Sequence, residues 1–490
     1  MRASSPWIRY GLLFAGAAAL SGLTILRDIN PHDEGLVLQA AARVADGQLP
    51  YRDFWWNYGP AQPFALGGLH AVFGPSLLAW RVVRVLGDGL VAILAYALAR
   101  RDAPEWLALA AWLAVAGAMA FPTIPSPNPP AIALGLGAIL LARRSPVGAG
   151  VLAGAAVGFR LELGLACALG AAIAAGRGGA ARTSAAAGAT ALVLVGPFVA
   201  LGGPGTFWDD TIGFAFNVQP LQRLPLPGAY HHPFDVNKVF EFYFPYVLLA
   251  GAALWLGSAL RDRPPPRAWA PVPYAAVGVA YLVGRADEFH LIPLAAVLPI
   301  LLATAAERER RARHAALGAA LIVALALVAL HGLDRKYVQA FRLPSTSRIH
   351  VDAADGVRTE PEQARALQRL VGYVDARVPR GEPVFVANPR HDLVKVGNPL
   401  VYVLLDRPNP TRYDVMQPGV VTSAPVQREI VGDLRRARPR LIVRWLDPVA
   451  SEAEPNGAGR PSGMRILDRY LAREYAPVRR FGDYEVLGRR

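Results

Sequence analysis

The chain has 490 residues, 53% of them hydrophobic and 18% charged, against roughly 25% charged in an average soluble protein. Its charges are unevenly placed: 42 serve residues 1–333 and 46 serve the last 157, so the first part cannot coat a water-soluble surface of its size and a single soluble domain is excluded. The net charge of +14 is not clustered on one soluble face, which argues against nucleic acid as a partner.

Arginine supplies 48 of the 51 basic residues, a composition typical of GC-rich bacterial genomes. The single cysteine, Cys167, lies in an apolar run and has no partner, so no intrachain disulfide forms.

In chain order, apolar runs that span or nearly span a bilayer occupy 7–26, 76–99, 104–121, 129–142, 147–159, 163–175, 183–201, 242–260, 270–284, 291–305 and 314–331, about eleven spans. The first reads as an uncleaved anchor, because so many spans follow it. With the N-terminus in the cytoplasm, every inner connection is arginine-rich: Arg100 and Arg101, Arg143 and Arg144, Arg177 and Arg182, then Arg261, Arg263 and Arg267, then ERERRAR at 307–313. That obeys the positive-inside rule at each turn. It places the loops 27–75 and 202–241 and everything from 334 outside the cytoplasm, in the pattern of a multi-pass protein of a bacterial inner membrane. The proline-rich pieces at 122–130 and 261–267 are expected to be turns between spans.

The expected domains are therefore a polytopic α-helical module, 1–333, and an extracytoplasmic α/β domain, 334–490. In the latter, 362–378 has the spacing of an amphipathic helix. PVFVA at 383 and LIVRWL at 441 read as buried strands, 425–437 and 462–474 as helices, and Gly482-Asp483 as the turn of a terminal hairpin. No nucleotide-binding glycine fingerprint, P-loop or metal-spaced Cys/His set occurs there, so chemistry is expected elsewhere.

The first outer loop supplies it. Asp33 and Glu34 stand just before an amphipathic helix expected to lie along the membrane surface. Asp33 either caps that helix or serves as a general base or metal ligand. YRDFWWNYGP at 51–60 follows, and its Trp and Tyr side chains, including Trp55, Trp56 and Tyr58, suit a bilayer interface. Arg52 and Asp53 in the same strip have the chemistry to bind phosphate or sugar hydroxyls.

Arg81 and Arg84 open the second span, with Asp88 one turn deeper. An Arg84–Asp88 pair would neutralise that aspartate and leave Arg81 for an anionic ligand. GFRLELG places Arg160 and Glu162 between two spans, and GRADEFHLIP places Arg285, Asp287, Glu288 and His290 between two others. Several cations at one bilayer face suit a lipid phosphate. His231 and His232, in a polar, Pro-rich loop, have the chemistry to bind a metal, and plain exposure is the expected state.

An outer loop that begins Asp33-Glu34-Gly35, continues through LPYRDF and YGP and leads by FGPSLLAWR into the next span resembles the GT-C membrane glycosyltransferases. It is most similar to bacterial relatives of the protein O-mannosyltransferases and lipid A aminoarabinose transferases. The resemblance implies transfer of a sugar from a polyprenyl-phosphate carrier to a hydroxyl acceptor, a glycan, lipid or protein, with inversion at the anomeric carbon. It maps the acidic residue that acts at the acceptor onto Asp33. AQPF stands where the mannosyltransferases have a PPLGK-like stretch, so acceptor identity does not carry over.

Glu34, Arg52, Asp53, Tyr58, Arg81, Arg160, Arg285, Asp287 and His290 are the expected substrate-binding residues. No cofactor is read with certainty, and a divalent cation is the one addition left open. The competing readings are a flippase of lipid-linked sugars, against which the charges gather at one face and not at the midplane, and a noncatalytic partner in envelope assembly.

Overall fold

The computed structural model describes residues 6–123, 128–342 and 346–490. Part of the proline-rich turn expected at 122–130 lies outside the described residues. Each apolar run forms a helix. The first is α1 (Pro6–Gly22), and the short α2 (Asp33–Ala45) and α3 (Ala61–Phe73) follow in the first loop. Then come α4 (Leu77–Ala99), α5 (Glu105–Met119), α6 (Asn128–Leu141), α7 (Pro146–Phe159), α8 (Leu161–Ala175) and α9 (Ala180–Gly202). After the short α10 (Pro204–Trp208) come α11 (Val236–Arg261), α12 (Val272–Gly284), α13 (Glu288–Arg311) and α14 (Ala315–Tyr337).

Local chemistry sets the boundaries. The Ser76 and Ser145 hydroxyls accept the Ala79 and Gly148 amides to cap α4 and α7, and the Asp235 carboxylate caps α11. Among the described residues five helices, α4, α9, α11, α13 and α14, are long and apolar enough to cross a membrane. α5 to α8 are apolar but only 14 or 15 residues long, about 22 Å at 1.5 Å per residue. α13 is the axis of the bundle, and α4, α5, α11, α12 and α14 all pack on it. Small residues permit this closeness: a Cβ on Gly332 of α14 would come within 2.5 Å of the Gly117 carbonyl carbon of α5. α14 runs on through a π-helical turn, Val338–Arg342, so the boundary expected at 333 falls inside a continuous helical rod.

Beyond it, a mixed sheet has the order β3-β4-β6-β5. A two-residue pair, β1 (Ser347–Arg348) and β2 (Arg358–Thr359), precedes it. The sheet strands are β3 (Phe385–Ala387), parallel to β4 (Leu441–Trp445), and the terminal hairpin β5 (Tyr475–Phe481) and β6 (Tyr484–Arg489). Helices α15 (Pro361–Asp375), α17 (Ala424–Ala437) and α18 (Ile466–Glu474) match the periodic segments, and α16 (Leu400–Leu405) adds a short buried helix.

α16 of the C-terminal domain covers α2: a Cβ on Gly35 would sit 2.1 Å from the Leu400 amide nitrogen. One expectation about the first loop is corrected: Trp55 and Trp56 are not bilayer anchors. They are 7% and 0% exposed, inside one apolar core shared by the first loop and the C-terminal sheet domain. The reason is area: covering the aromatic strip by a second layer removes more apolar surface from water than grazing a bilayer interface would.

Within that junction the buried Arg43 of α2 reaches Asp414 with Nε and Nη2 (2.6 and 3.0 Å). Asp414→Ala would leave the Arg43 charge buried without a counter-ion, which typically destabilises by about 3–5 kcal/mol. The expected outcome is a lower thermal midpoint, with protease cleavage appearing between the helical bundle and the sheet domain. Unchanged proteolysis would show that the apolar core alone secures the junction.

Candidate active site

Glu34 lies in the first turn of α2, and its carboxylate accepts Arg81 Nε and Nη2, both at 2.7 Å, with both side chains fully buried. The rest of the guanidinium donates to the carbonyls of Ile25 (2.9 Å) and Asp28 (2.6 Å). Arg81 is thus wholly engaged, which corrects the expectation that it stands free for an anion. The Arg84–Asp88 pair forms at 2.7 Å, and Ser21 Oγ donates to the other Asp88 oxygen at 2.7 Å.

The same arrangement frees Asp33. The Asn30 side-chain oxygen accepts the Asp33 amide at 2.8 Å, and Asn30 Nδ2 donates to Asp33 Oδ2 at 3.1 Å. The carboxyl of Asp33 caps nothing in α2, because Asn30 performs that task. Burial pushes the Asp33 carboxyl above the ordinary carboxylate range. His32, Asn30 and His290 oppose the shift, and Asp287 adds to it.

Asp287 and His290 come from the start of α13. Asp287 caps α13, accepting the His290 amide and, at 2.6 Å, His290 Nδ1. Burial pushes the Asp287 carboxyl up, but His290 and Arg285 outweigh it and hold it below the usual range. A third segment completes the cluster. Arg160, only 4% exposed, donates to Glu162 at 2.8 Å and lies over the rings of Tyr58 (4.5 Å) and Tyr281 (5.2 Å). The Tyr281 hydroxyl also donates to Glu162, and its ring lies 5.6 Å from that of His290. The YGP turn is pressed onto this segment, with a Cβ on Gly59 falling 2.1 Å from the Gly158 oxygen. Among the described residues Arg160 Nη1 is buried without a hydrogen-bond partner, as are His32 Nδ1 and Asn57 Oδ1.

Three segments distant in sequence thus bring Asp33, Tyr58, Arg160, Asp287 and His290 together. Arg285 is near but committed: it donates to Asp287 at 2.5 Å and forks onto Glu454 of the sheet domain at 2.9 and 3.1 Å, so it too is not free for a phosphate. Arg52 and Asp53 pair with each other at 2.8 Å, and Asp53 accepts the Leu49 amide; the structure does not bring them into the cluster. His231 and His232 are exposed. Sequence reasoning missed Asn30, Tyr281 and Glu454. Tyr281 carried a signal, a hydroxyl one turn before a charged connection, whereas Glu454 sits in a loop with none.

A cavity of about 550 Å³ opens beside Asn30 and His32, closed on its other walls by the sheet-domain residues Glu362, Asp447 and Tyr484.

By sequence the chain matches no family model and no curated protein. By structure it superposes on ArnT from Cupriavidus metallidurans in the apo state over 99% of this chain and 98% of that one, with a TM-score of 0.55 at 14% identity. The two chains share one fold over nearly their whole lengths. The same architecture relates it to two solved oligosaccharyltransferase structures from Archaeoglobus fulgidus. One is AglB with an inhibitory peptide and a dolichol-phosphate (TM-score 0.50, 14% identity, 91% of this chain and 70% of that). The other is a complex with Zn and sulfate (0.51, 15%, 95% and 71%). At such identity the likeness establishes a fold, the apolar helices make it that of a multi-pass membrane protein, and the chemistry rests on this chain's own residues.

The pairing of Arg81 makes a specific prediction. Arg81→Gln strands the Glu34 carboxylate in an apolar interior, a loss on the order of 3–5 kcal/mol, so thermal stability and yield are expected to fall sharply. A stable, well-expressed Arg81→Gln protein that had lost only affinity for an anionic lipid would restore the ligand role.

Proposed function

We propose that the chain transfers a sugar from a polyprenyl-phosphate carrier to a hydroxyl acceptor at the outer face of the membrane. The observation that carries this reading is the gathering around Tyr58, at one end of an apolar bundle and next to a cavity lined by Asn30 and His32, of a carboxylate that caps no helix, Asp33, and a buried, incompletely bonded guanidinium, Arg160. Sugar transfer requires those two groups: a base for the attacking hydroxyl and a fixed cation for the departing phosphate.

In the proposed reaction the acceptor hydroxyl, entering through the cavity, gives its proton to Asp33 while its oxygen bonds to the anomeric carbon. The bond from that carbon to the phosphate oxygen breaks, and the carrier leaves as a lipid phosphate. The phosphate leaves already ionised, so no general acid is needed, unlike glycoside hydrolysis with its two carboxylates. Arg160 Nη1 holds the phosphate, assisted by His290, which Asp287 orients. Tyr58 and Tyr281 clamp the guanidinium plane from their ring faces. A carboxyl held above its usual range is a stronger base than a solvated one. Glu34 and Arg81 shape the loop and do not touch substrate.

The decisive test is Asp33→Asn, assayed as release of polyprenyl phosphate by the full chain in vesicles containing lipid-linked sugars extracted from the parent membrane. Asn30 holds the helix start, so the variant is expected to fold and bind donor normally while turnover falls by about 10² to 10⁴. Near wild-type transfer would move the base elsewhere. Arg160→Gln should weaken donor use by about 10- to 150-fold, the equivalent of a charge-assisted contact of about 1.5–3 kcal/mol, and Arg160→Lys should recover only part, having charge but no fork.

The pH profile supplies a further check. Asp33 must be ionised to accept a proton, so activity is lost as pH falls through its folded value, which lies above the reference of about 3.9 because burial raises it. The field of His290 lowers that value; His290→Gln is therefore expected to move the acid limb of kcat/KM to higher pH. A limb that stays in place would separate Asp33 from the titration.

A further inference from the structure

At the other end of the bundle, about 32 Å from the start of α13 at 1.5 Å per residue, three helix ends meet around a second polar cluster. Asp262 ends α11, Glu309 lies in the last turns of α13, and His314 immediately precedes α14. Arg313 between the last two helices adopts φ 62°, a left-handed turn that folds His314 back so that its amide donates to the Glu309 carbonyl at 2.9 Å. His314 Nδ1 then lies 2.7 Å from Glu309 Oε2 and 3.4 Å from Asp262 Oδ2. One ligand atom from each of the three residues falls within 4.8 Å of the others.

Hydrogen bonding does not complete this arrangement. A ring nitrogen carries at most one proton, and the shorter contact gives it to Glu309. Asp262 Oδ2 is buried with no hydrogen-bond partner among the described residues. The other oxygen of Glu309, fully buried, accepts from Ser258 Oγ, whose hydroxyl in turn accepts from Arg308 Nη2. That relay fixes the carboxylate so that Oε2 faces the imidazole and the orphaned Asp262 oxygen. Two carboxylate oxygens and one imidazole nitrogen turned inward, with an oriented outer shell, are a donor set for a divalent transition ion.

We propose that Asp262, Glu309 and His314 bind one such ion, zinc by preference, at the end of the bundle opposite the Asp33 cluster. The set has three nitrogen and oxygen donors and no thiolate, and leaves a fourth tetrahedral position for water. Tetrahedral metal–ligand bonds of about 2.0–2.2 Å place ligand atoms about 3.3–3.6 Å apart; Asp262 already stands 3.4 Å from the imidazole, and Glu309, at 2.7 Å, has to part from it by roughly 0.6–0.9 Å. Asp262 is 39% exposed at its side chain, which gives the ion and its water an entry path. The ion would tie α11, α13 and α14 together at this end of the bundle, independently of sugar transfer.

The test uses the full chain in detergent, stripped with a chelator and titrated with zinc chloride by calorimetry, with X-ray absorption on the loaded protein and a thermal scan of each form. The expected result is a saturable zinc ion in an all-nitrogen/oxygen shell at about 2.0–2.2 Å and a higher thermal midpoint on loading. Asp262→Asn and His314→Gln should each weaken binding at least about tenfold and abolish the midpoint shift. Because Asp262 lies partly exposed beyond a helix end, Asp262→Asn retains the fold. Zinc affinity and midpoint shift unchanged in both variants, or no saturable binding by the wild type, would overturn the proposal. Zinc held by the exposed histidine pair at 231–232 would persist in both variants and so counts against it. Transfer activity is not a readout, so failure of the glycosyltransfer reading leaves this test intact.

Discussion

A fully buried ion pair between Glu34 and Arg81 fixes the geometry on which the rest of the site depends. Removing both charges from water is expensive, and the pair is tolerable only because the guanidinium also satisfies the carbonyls of Ile25 and Asp28. The stretch from the end of α1 to the start of α2 is thereby drawn onto α4 in one conformation, with Asp28 at φ 60°. Asn30 is then placed to cap α2, and the Asp33 carboxyl is left to face Asp287 and His290. Specificity of shape, more than stability, is what such a pair supplies here.

The sheet domain is held to the bundle by charge as well as by a shared core. Arg43 to Asp414, Arg285 to Glu454 and Arg412 to Asp210 at 3.1 Å each join a residue near the bundle to one in the C-terminal domain. Asp210 is pushed up to about 7, burial outweighing the nearby Arg412 cation. Its carboxylate form is therefore disfavoured by folding: relative to an ordinary aspartate, it penalises the folded state above the unfolded value, most fully above about pH 7. Arg412 offsets this in part.

The sequence disclosed much of the fold because it follows from one-dimensional patterns. Apolar runs broken by arginines give helices and their alternation, and the period near 367, 370, 371 and 374 gives α15. The short α16 was hidden because LVYVLL, six apolar residues, carries no period that tells helix from strand. The site was half legible. Asp33, Arg160, Asp287 and His290 announce themselves as charges at span ends, whereas their allocation does not. Arg81 and Arg285 look as available as Arg160 in one dimension. Only the folded chain shows that Glu34 and Glu454 have claimed them, and Glu454 lies 169 residues from its partner. The aromatic strip misled for a similar reason: interface preference and burial select the same side chains, and a covering domain decides between them.

The approach of Gly35 to the Leu400 backbone bears on how such a protein can change over time. With no room for even a methyl group between α2 and α16, the loop and the domain interlock at the level of main chain. The C-terminal domain is consequently not a cassette that recombination can exchange among proteins of this architecture. A foreign domain would have to reproduce the path of residues 399–400 as well as a partner for Arg43. Divergence is channelled instead into the cavity wall, where Glu362 and Asp447 of the domain line the cavity and substitutions leave the interlocked surface untouched.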